Sequence, residues 1–202
     1  MNLESIKCKV VLLGDSGVGK SSILRRIKFD NFSHEVDSTI GCEFFAKEYI
    51  IKNKSIKLLL WDTAGQEVFR SFTPNFLRGA KIVLIVYDLT KKISEKSIEE
   101  WVIEANKIPN IKIIVLGNKF DGNKFDENDI IVNNIIEKYK DIDIYNFGYV
   151  SAKNNHNINN LFHFVSTQIA NNLNNKFPEI VTTNNVNLTE KKNNETKNFC
   201  CT

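Results

Sequence analysis

The chain has no apolar segment long enough to cross a membrane as a helix, a span that takes roughly 20 residues. Its first residues, Met1-Asn-Leu-Glu-Ser-Ile-Lys7, do not contain the apolar core of a secretory signal. Position 2 is asparagine rather than the glycine that N-myristoylation requires. We therefore expect no membrane-spanning helix, no secretory signal and no myristoyl anchor.

Cysteine is also scarce, and neither sign of charge dominates. The four cysteines, Cys8, Cys42, Cys200 and Cys201, fit neither a disulfide framework nor the spacing of a zinc site. This usage indicates a reducing, cytosolic compartment. The net charge of +3 is too small to indicate a nucleic-acid partner, and we expect none.

Apolar strands alternate with amphipathic helices along most of the chain. The predicted strands are Cys8–Leu13, Glu43–Lys52, Ser55–Asp62, Lys81–Asp88, Ile111–Gly117 and Ile144–Val150. The predicted helices are Lys20–Phe29, Ser94–Lys107, Glu127–Tyr139 and Ile158–Leu173. This alternation predicts an α/β fold with a mostly parallel six-stranded sheet and helices on both faces. Ligands bind such sheets at the carboxyl ends of the strands.

Three local features carry further expectations. Asn53-Lys54 suggests a hairpin turn between the second and third strands. Residues 68–78 stay ambiguous because Pro74 would interrupt a regular helix. Helical spacing in Glu127–Tyr139 predicts four inward side chains, namely Ile130, Ile131, Ile135 and Ile136.

The stretch Gly14-Asp-Ser-Gly-Val-Gly19-Lys20-Ser21 fits the phosphate-loop pattern G-x-x-x-x-G-K-[ST]. A predicted buried strand precedes it and a helix follows it, which argues against a chance match in a glycine-rich turn. The glycines let the backbone approach a polyphosphate. The expected phosphate-binding residues are Ser16, Gly17, Val18, Gly19, Lys20, Ser21 and Ser22. The Lys20 ammonium can reach the β- and γ-phosphates, and the Ser21 hydroxyl can bind Mg²⁺.

A second motif, Asp62-Thr-Ala-Gly65-Gln66, follows the third predicted strand. Asp62 can hold a water molecule of the Mg²⁺ shell, so it is expected as a metal ligand through water. Gly65 offers an unhindered backbone N–H to a γ-phosphate, and Gln66 can orient a water molecule for in-line attack. We predict Gln66 as the catalytic residue.

A third motif, Asn118-Lys119-Phe-Asp121, ends the fifth predicted strand. The Asp121 carboxylate can accept hydrogen bonds from guanine N1–H and the 2-amino group, a donor pair that adenine lacks. Asn118 can tie the loop to the base, and the Lys119 stem can cover the ring. The pattern recurs as Asn123-Lys-Phe-Asp126, but that copy follows no strand and is expected to be a solvated loop.

Residues Ser151-Ala152-Lys153 follow the last predicted strand, beside the base-reading motif. The backbone N–H of Ala152 could donate to guanine O6. Phe32 could contact the guanine edge or could merely pack within its loop, and its spacing does not decide between the two.

Together these motifs make the chain from about Ile6 to Leu173 resemble the Ras-like small GTPases, and within them the Rabs. The most Rab-like segments are Ser38–Phe44, Lys57–Trp61, Phe69–Thr73 and Leu84–Asp88. The resemblance implies the P-loop NTPase small G-domain, a GTP/GDP switch that controls vesicle traffic, and slow GTP hydrolysis that a GAP accelerates. Bound Mg²⁺ and GTP or GDP are implied with it.

The same resemblance implies residue roles and partners. Thr39 becomes the residue that ligates Mg²⁺ and senses the γ-phosphate, and Phe32 the aromatic beside guanine. The implied effector residues are Phe44, Trp61 and Phe76, for which core packing is the alternative. The implied partners are a GAP, an exchange factor, a GDP-dissociation inhibitor or escort protein, and effectors.

The sequence departs from the Rab pattern where Val68, Gly122 and Tyr149-Val150 stand. None of these positions touches the expected phosphate or base chemistry directly. Two other classes compete with a switch. A P-loop kinase or ATPase would lack a base-reading aspartate, and a pseudo-GTPase scaffold would show damage in the motifs, which are intact.

After about Asn174 the composition becomes rich in Asn, Thr, Lys and Glu, and we predict a disordered tail. The expected organisation is an N-terminal extension at 1–6, a GTPase domain at 7–173 and a variable tail at 174–202. The ending Phe199-Cys-Cys-Thr202 is not a C-a-a-X box. It resembles the two-cysteine endings of Rabs, which implies geranylgeranyl groups on Cys200 and Cys201. The implied location is the cytoplasmic face of an intracellular membrane, with cycling through the cytosol.

Overall fold

The computed structural model describes residues 4–33, 42–63, 73–121 and 126–171. The strands are β1 (Glu4–Leu13), β2 (Cys42–Ile51), β3 (Lys54–Thr63), β4 (Ile82–Asp88), β5 (Lys112–Asn118) and β6 (Ile144–Tyr149). The helices are α1 (Lys20–Phe29), α2 (Thr73–Leu77), α3 (Glu95–Asn106), α4 (Glu127–Lys138) and α5 (Ile158–Asn171). Within these ranges, no helix combines the length and apolarity that a membrane crossing would need.

The six strands form one sheet in the order β2-β3-β1-β4-β5-β6. Only β2 runs antiparallel to its neighbour, and every other pairing is parallel. Side chains of the central strands alternate between two apolar cores, so that Val10 and Leu12 face one core while Val11 and Leu13 face the other. Helices α1 and α5 cover the first face, and α3 and α4 cover the second. The predicted α/β architecture is confirmed.

Strand β1 begins at Glu4, earlier than the predicted Cys8. Its first residues pair with β3 alone, starting with Glu4 opposite Lys54, whereas pairing with β4 starts only at Val10. Because residues 5 and 7 are exposed, this end of the strand lacks the continuous apolar run that marked the rest.

The β2–β3 hairpin turns at Lys52 and Asn53, one residue before the predicted turn. Both residues have positive φ, 47° and 61°, which a two-residue type I′ turn requires. Asparagine tolerates this conformation, and Lys52 adopts it with its ammonium 2.9 Å from the side-chain oxygen of Asn171. The turn therefore fixes the register that pairs Phe44 with Trp61.

Two helices also differ from expectation. Residues 73–77 form α2, and Pro74 lies in its first turn, where a missing N–H breaks no helical hydrogen bond. In α4 the prediction that Ile130 points inward is wrong, because 61% of that residue is exposed. Asn128 is fully buried in its place, along with Val132 and Ile135.

Candidate nucleotide-binding site

The phosphate-loop residues lie between the end of β1 and the start of α1. Gly14, Gly17 and Gly19 have φ of 139°, 76° and 95°, which side-chain-bearing residues rarely adopt. A Cβ on Gly14 would lie 2.1 Å from the Val86 carbonyl oxygen, and one on Gly19 would lie 2.3 Å from the Asn118 amide nitrogen. These two positions therefore need glycine for close packing as well as for backbone conformation.

Lys20 is the first residue of α1, and only 5% of it is exposed. Its ammonium donates to the carbonyl oxygens of Gly14 at 2.8 Å and Asp15 at 2.9 Å, so it lies against the loop. Burial lowers the pKa of Lys20 from 10.5 to about 8, although the nearby carboxylates of Asp62 and Asp15 oppose this shift. The loop thus holds a cation at the place where the sequence predicts phosphates.

Asp62 stands near the end of β3 and is buried. The next residue, Thr63, donates its hydroxyl to the Leu12 carbonyl at 2.6 Å, which holds the end of β3 against the end of β1. Ser21 follows Lys20 in the first turn of α1. A buried carboxylate and a hydroxyl beside the phosphate loop are oxygen donors of the kind that Mg²⁺ takes together with phosphate oxygens, so these residues fit the ion.

Asn118, the last residue of β5, joins the phosphate loop to the loop after β6. Its amide nitrogen donates to the Val18 carbonyl at 2.9 Å, and its side-chain oxygen accepts from the Ala152 N–H at 3.2 Å. Asn118 is 2% exposed. One side chain therefore brings together three of the motifs that the sequence singled out.

Asp121 also contacts the loop after β6. Its Oδ1 accepts from the Ser151 hydroxyl at 2.7 Å, and its Oδ2 lies 3.9 Å from the Lys153 ammonium. The Ser151 hydroxyl in turn accepts from the Asn154 N–H at 3.0 Å. The structure thus places the predicted base-reading carboxylate beside Ser151, Ala152 and Lys153.

The pairing of Lys119 with Asp88 was not anticipated from the sequence. The Lys119 ammonium lies 2.7 Å from Oδ2 of Asp88, the last residue of β4, while Thr90 donates its N–H and hydroxyl to Oδ1. Burial alone would raise the pKa of Asp88, but the hydrogen bonds from Lys119 and Thr90 outweigh it and lower the pKa. The sequence shows only that Asp88 ends a predicted strand, and it is the structure that places this strand beside β5.

The contact of Asp15, within the phosphate loop, with α3 is also not predicted by the sequence. It accepts hydrogen bonds from two residues of α3, the Ser97 hydroxyl at 2.6 Å and the Trp101 indole N–H at 2.9 Å. The phosphate loop is therefore fixed to α3 as well as to β5.

The predicted aromatic residues are only partly gathered. Phe44 and Trp61 stack with ring centroids 4.9 Å apart, and the Lys9 ammonium lies 3.9 Å from the Trp61 ring centroid. Phe76 is partly buried on α2, and Phe32 packs against the core beneath α1 and α5. Five further predicted site residues, Thr39, Gly65, Gln66, Cys200 and Cys201, lie outside the described residues.

Comparison with known proteins agrees with this arrangement. The Ras family model matches residues 9–171. The Ras-related protein Rab-22A of Canis lupus familiaris is 41% identical over 163 residues, which cover 80% of this chain and 82% of that protein. The Ras-related protein RabQ of Dictyostelium discoideum is 37% identical over 169 residues, covering 83% of this chain and 81% of that protein.

A shorter match links the chain to the Ras-related protein Rab-11A of Dictyostelium discoideum. The two are 48% identical over 115 residues, 56% of this chain, and the chain spans 54% of that relative's length in this match. With the family model and the longer Rab-22A match, the identification is clear. The chain belongs to the Ras family and, within it, to the Rab small GTPases, which hydrolyse GTP.

Proposed function

We propose that this protein is a GTP/GDP switch that regulates vesicle traffic. The observation that carries the proposal is the Asn118 side chain, which joins the phosphate loop at Val18 to the base-side loop at Ala152. A phosphate site and a base site held together by one buried amide suit a single nucleotide that lies across both. The Rab relatives support the trafficking role.

At the phosphate end, the backbone N–H groups of residues 16–22 and the Lys20 ammonium bind the β- and γ-phosphates. Ser21 and Thr39 would bind Mg²⁺ directly, and Asp62 would bind it through a water molecule. When bound, the ion neutralises charge that develops on the phosphate oxygens. The burial of Asp62 beside Lys20 supports this assignment.

At the base end, Asp121 accepts from guanine N1–H and the 2-amino group, and the Ala152 N–H donates to O6. The Lys119 stem covers the ring while Asp88 holds its ammonium. Phe32 contacts the base edge. Adenine would leave the Asp121 carboxylate without its donor pair, so the site discriminates strongly against ATP.

Hydrolysis depends on Gln66, which orients the attacking water, and the intrinsic rate is on the order of 10⁻⁴ to 10⁻² s⁻¹ before a GAP acts. Thr39 and Gly65 contact the γ-phosphate, so its loss releases the two loops that carry them. Effectors read the change through Phe44, Trp61 and Phe76. Phe44 and Trp61 stack on the β2–β3 hairpin and are both partly exposed, which supports a shared contact surface.

The protein cycles between cytosol and the cytoplasmic face of an intracellular membrane. Geranylgeranyl groups on Cys200 and Cys201 anchor it, since two chains hold a protein stably where one does so only marginally. A GDP-dissociation inhibitor or escort protein and an exchange factor serve the cycle. Intact mass and membrane fractionation of the protein from eukaryotic cells, beside a Cys200→Ser, Cys201→Ser variant, test the anchor. Equal partitioning without added isoprenoid mass would refute it.

Fluorescent-nucleotide binding tests the central claim. Wild type should bind GDP and GTP and reject ATP, and Asp121→Asn should shift preference toward xanthine nucleotides because an amide cannot accept both donors. Asp126→Asn is the matched control, since it alters the aspartate of the repeated pattern and should leave base preference unchanged. Equal binding of ATP and GTP by wild type would overturn the base assignment.

Hydrolysis separates the switch from the alternative of a scaffold that binds nucleotide without turnover. Single-turnover assays with and without a GAP should show turnover by wild type and its loss in Gln66→Leu. Normal turnover by Gln66→Leu would remove Gln66 from the mechanism.

A further inference from the structure

Arg26 connects the helix that follows the phosphate loop to the loop at the predicted base site. Its Nε donates to the Ala152 carbonyl at 2.8 Å, and its Nη2 donates to the Lys153 carbonyl at 2.8 Å. Its Nη1 donates to the Asp30 carbonyl at 2.7 Å. Only 12% of the Arg26 side chain is exposed.

The geometry of these bonds requires a guanidinium. Three nitrogens in one plane reach three carbonyl oxygens on two segments of the chain, whereas a lysine ammonium is a single point donor. Charge-assisted hydrogen bonds of this kind are stronger than those between neutral groups. A hydrogen bond of 3.1 Å from the Asn155 amide to the Asp30 carboxylate joins the same two segments a second time.

The Arg26 contacts bear on the direction of the Ala152 N–H. Ser151 and His156 exchange two backbone hydrogen bonds of 3.0 Å, so the Ser151 carbonyl points toward His156. In a trans peptide the N–H points away from the carbonyl, and no cis peptide occurs among the described residues. The Ala152 N–H therefore points away from His156, toward Asn118.

His156 thus fixes the peptide before Ala152, and Arg26 fixes the two carbonyls after it. We propose that Arg26 is a positioning residue for guanine recognition, which holds the Ala152 N–H in place to donate to O6 as well as to the Asn118 oxygen. This inference rests on the proposed function. Arg26 does not touch the base, and it acts through the backbone of residues 152 and 153.

The position of Asp121 makes the proposal specific to one edge atom of guanine. The Ser151 hydroxyl and the Lys153 ammonium hold its carboxylate. Arg26 donates to the backbone carbonyl of Lys153, and within the described ranges it makes no hydrogen bond to either of these two side chains. Loss of Arg26 should therefore weaken recognition at O6 while leaving recognition at the 2-amino group intact.

Three diphosphates separate these effects. In 6-thioguanosine 5′-diphosphate only O6 is replaced, by a larger and weaker acceptor, while inosine 5′-diphosphate lacks only the 2-amino group. The measured quantities are two affinity ratios for each variant, GDP to the thio analogue and GDP to the inosine analogue. A merely structural role would lower all three affinities together and leave both ratios unchanged.

Arg26→Ala should reduce the ratio of GDP to thio-analogue affinity by about two- to tenfold, the range expected for one hydrogen bond between neutral groups, with the inosine ratio unchanged. Arg26→Lys should retain part of the wild-type ratio of GDP to thio-analogue affinity. If Arg26→Ala does not fold, Arg26→Lys alone provides the test. Arg25→Ala is the matched control, because it removes the neighbouring arginine of α1, and it should leave both ratios as in wild type.

Unchanged thio-analogue ratios in Arg26→Ala and Arg26→Lys would overturn the inference, as would a wild-type ratio near one. Equal changes in both ratios would overturn it too, since Asp121 would then depend on Arg26 as well. A wild type that does not bind GDP would instead refute the proposed function.

Discussion

The Lys119 ammonium and the Asp88 carboxylate form an ion pair of 2.7 Å at the carboxyl ends of β5 and β4. Lys119 has a left-handed backbone with φ of 70°, and its ammonium reaches the end of the neighbouring strand β4. Asp88 is buried and Lys119 is partly exposed. The pair therefore anchors the tip of the lysine whose stem, in the proposed function, covers the guanine ring.

Removing the Asp88 charge should weaken guanine-nucleotide binding, because Lys119 would lose the partner that orders it. We expect Asp88→Asn to raise the GDP dissociation rate by about tenfold or more, as for a lost hydrogen bond between charged groups. Thr90→Val is the control, since it removes one hydrogen bond to Asp88 but keeps the ion pair, and its rate should change less. Equal rates in the two variants would show that the ion pair does not order the site.

Steric contact at Gly19 should make it more sensitive to substitution than Gly79, which has a similar positive φ of 76°. A Cβ at Gly79 meets nothing within 4 Å, so Gly79→Ala should cost only backbone strain, about 1 kcal/mol. Gly19→Ala adds a collision with the Asn118 amide and should cost several kcal/mol, about 3 or more. Urea unfolding of both variants without nucleotide measures the difference, and equal losses would contradict this packing.

Lys20 should make nucleotide affinity fall as pH rises through about 8, the pKa that burial gives its ammonium. Phosphate favours the charged form, so GDP binding above that pH should take up a proton. Calorimetry at pH 8.5 in two buffers of different ionisation enthalpy measures the uptake. Lys112→Gln is the control, and it should leave the proton uptake unchanged. Burial lowers the pKa of Lys112 as well, but Lys112 begins β5, at the end of the strand away from Asn118.

The lowered pKa of Lys20 also affects how the stability of the fold depends on pH. Between about pH 8 and 10.5 the unfolded chain binds more protons at Lys20 than the folded chain does, so this residue's contribution to the free energy of unfolding rises with pH. Below pH 8 both states are protonated and the contribution is constant. Lys20 should therefore oppose folding most at neutral pH, where its charge serves binding best.

The sequence predicted the architecture, and it singled out most of the residues that the structure brings together at the candidate site, because both rest on local patterns. Central strands buried on both faces read as continuous apolar runs, and the glycines around Lys20 mark a phosphate loop without reference to the rest of the chain. The contacts of Asp88, Asp15 and Arg26 could not be read in this way. Each depends on which strand or helix lies beside another, and spacing along the chain does not carry that information.

Helix α4 shows the limit of apolar periodicity. Helical spacing assigns four isoleucines to the inner face of Glu127–Lys138, and it does not show that Ile130 is mostly exposed. The structure settles the rotation of the helix through a polar residue. Asn128 accepts from the Ile93 N–H at 3.0 Å and donates to the Lys91 carbonyl at 2.9 Å, so it must face the segment between β4 and α3.

Asn128 and Ile130 should consequently respond to substitution in the reverse of the order that hydrophobicity suggests. Asn128→Ala removes two partly buried hydrogen bonds to the backbone of Lys91 and Ile93 and opens a small cavity, so it should lower the free energy of unfolding by about 1–3 kcal/mol. Ile130→Asn changes a side chain that is mostly in water and should cost less than about 1 kcal/mol. Urea denaturation of both variants in the GDP-bound form measures this, with nucleotide concentration held constant because binding adds to apparent stability. A larger loss for Ile130→Asn would mean that α4 is rotated to place Ile130 in the core, as the spacing alone predicts.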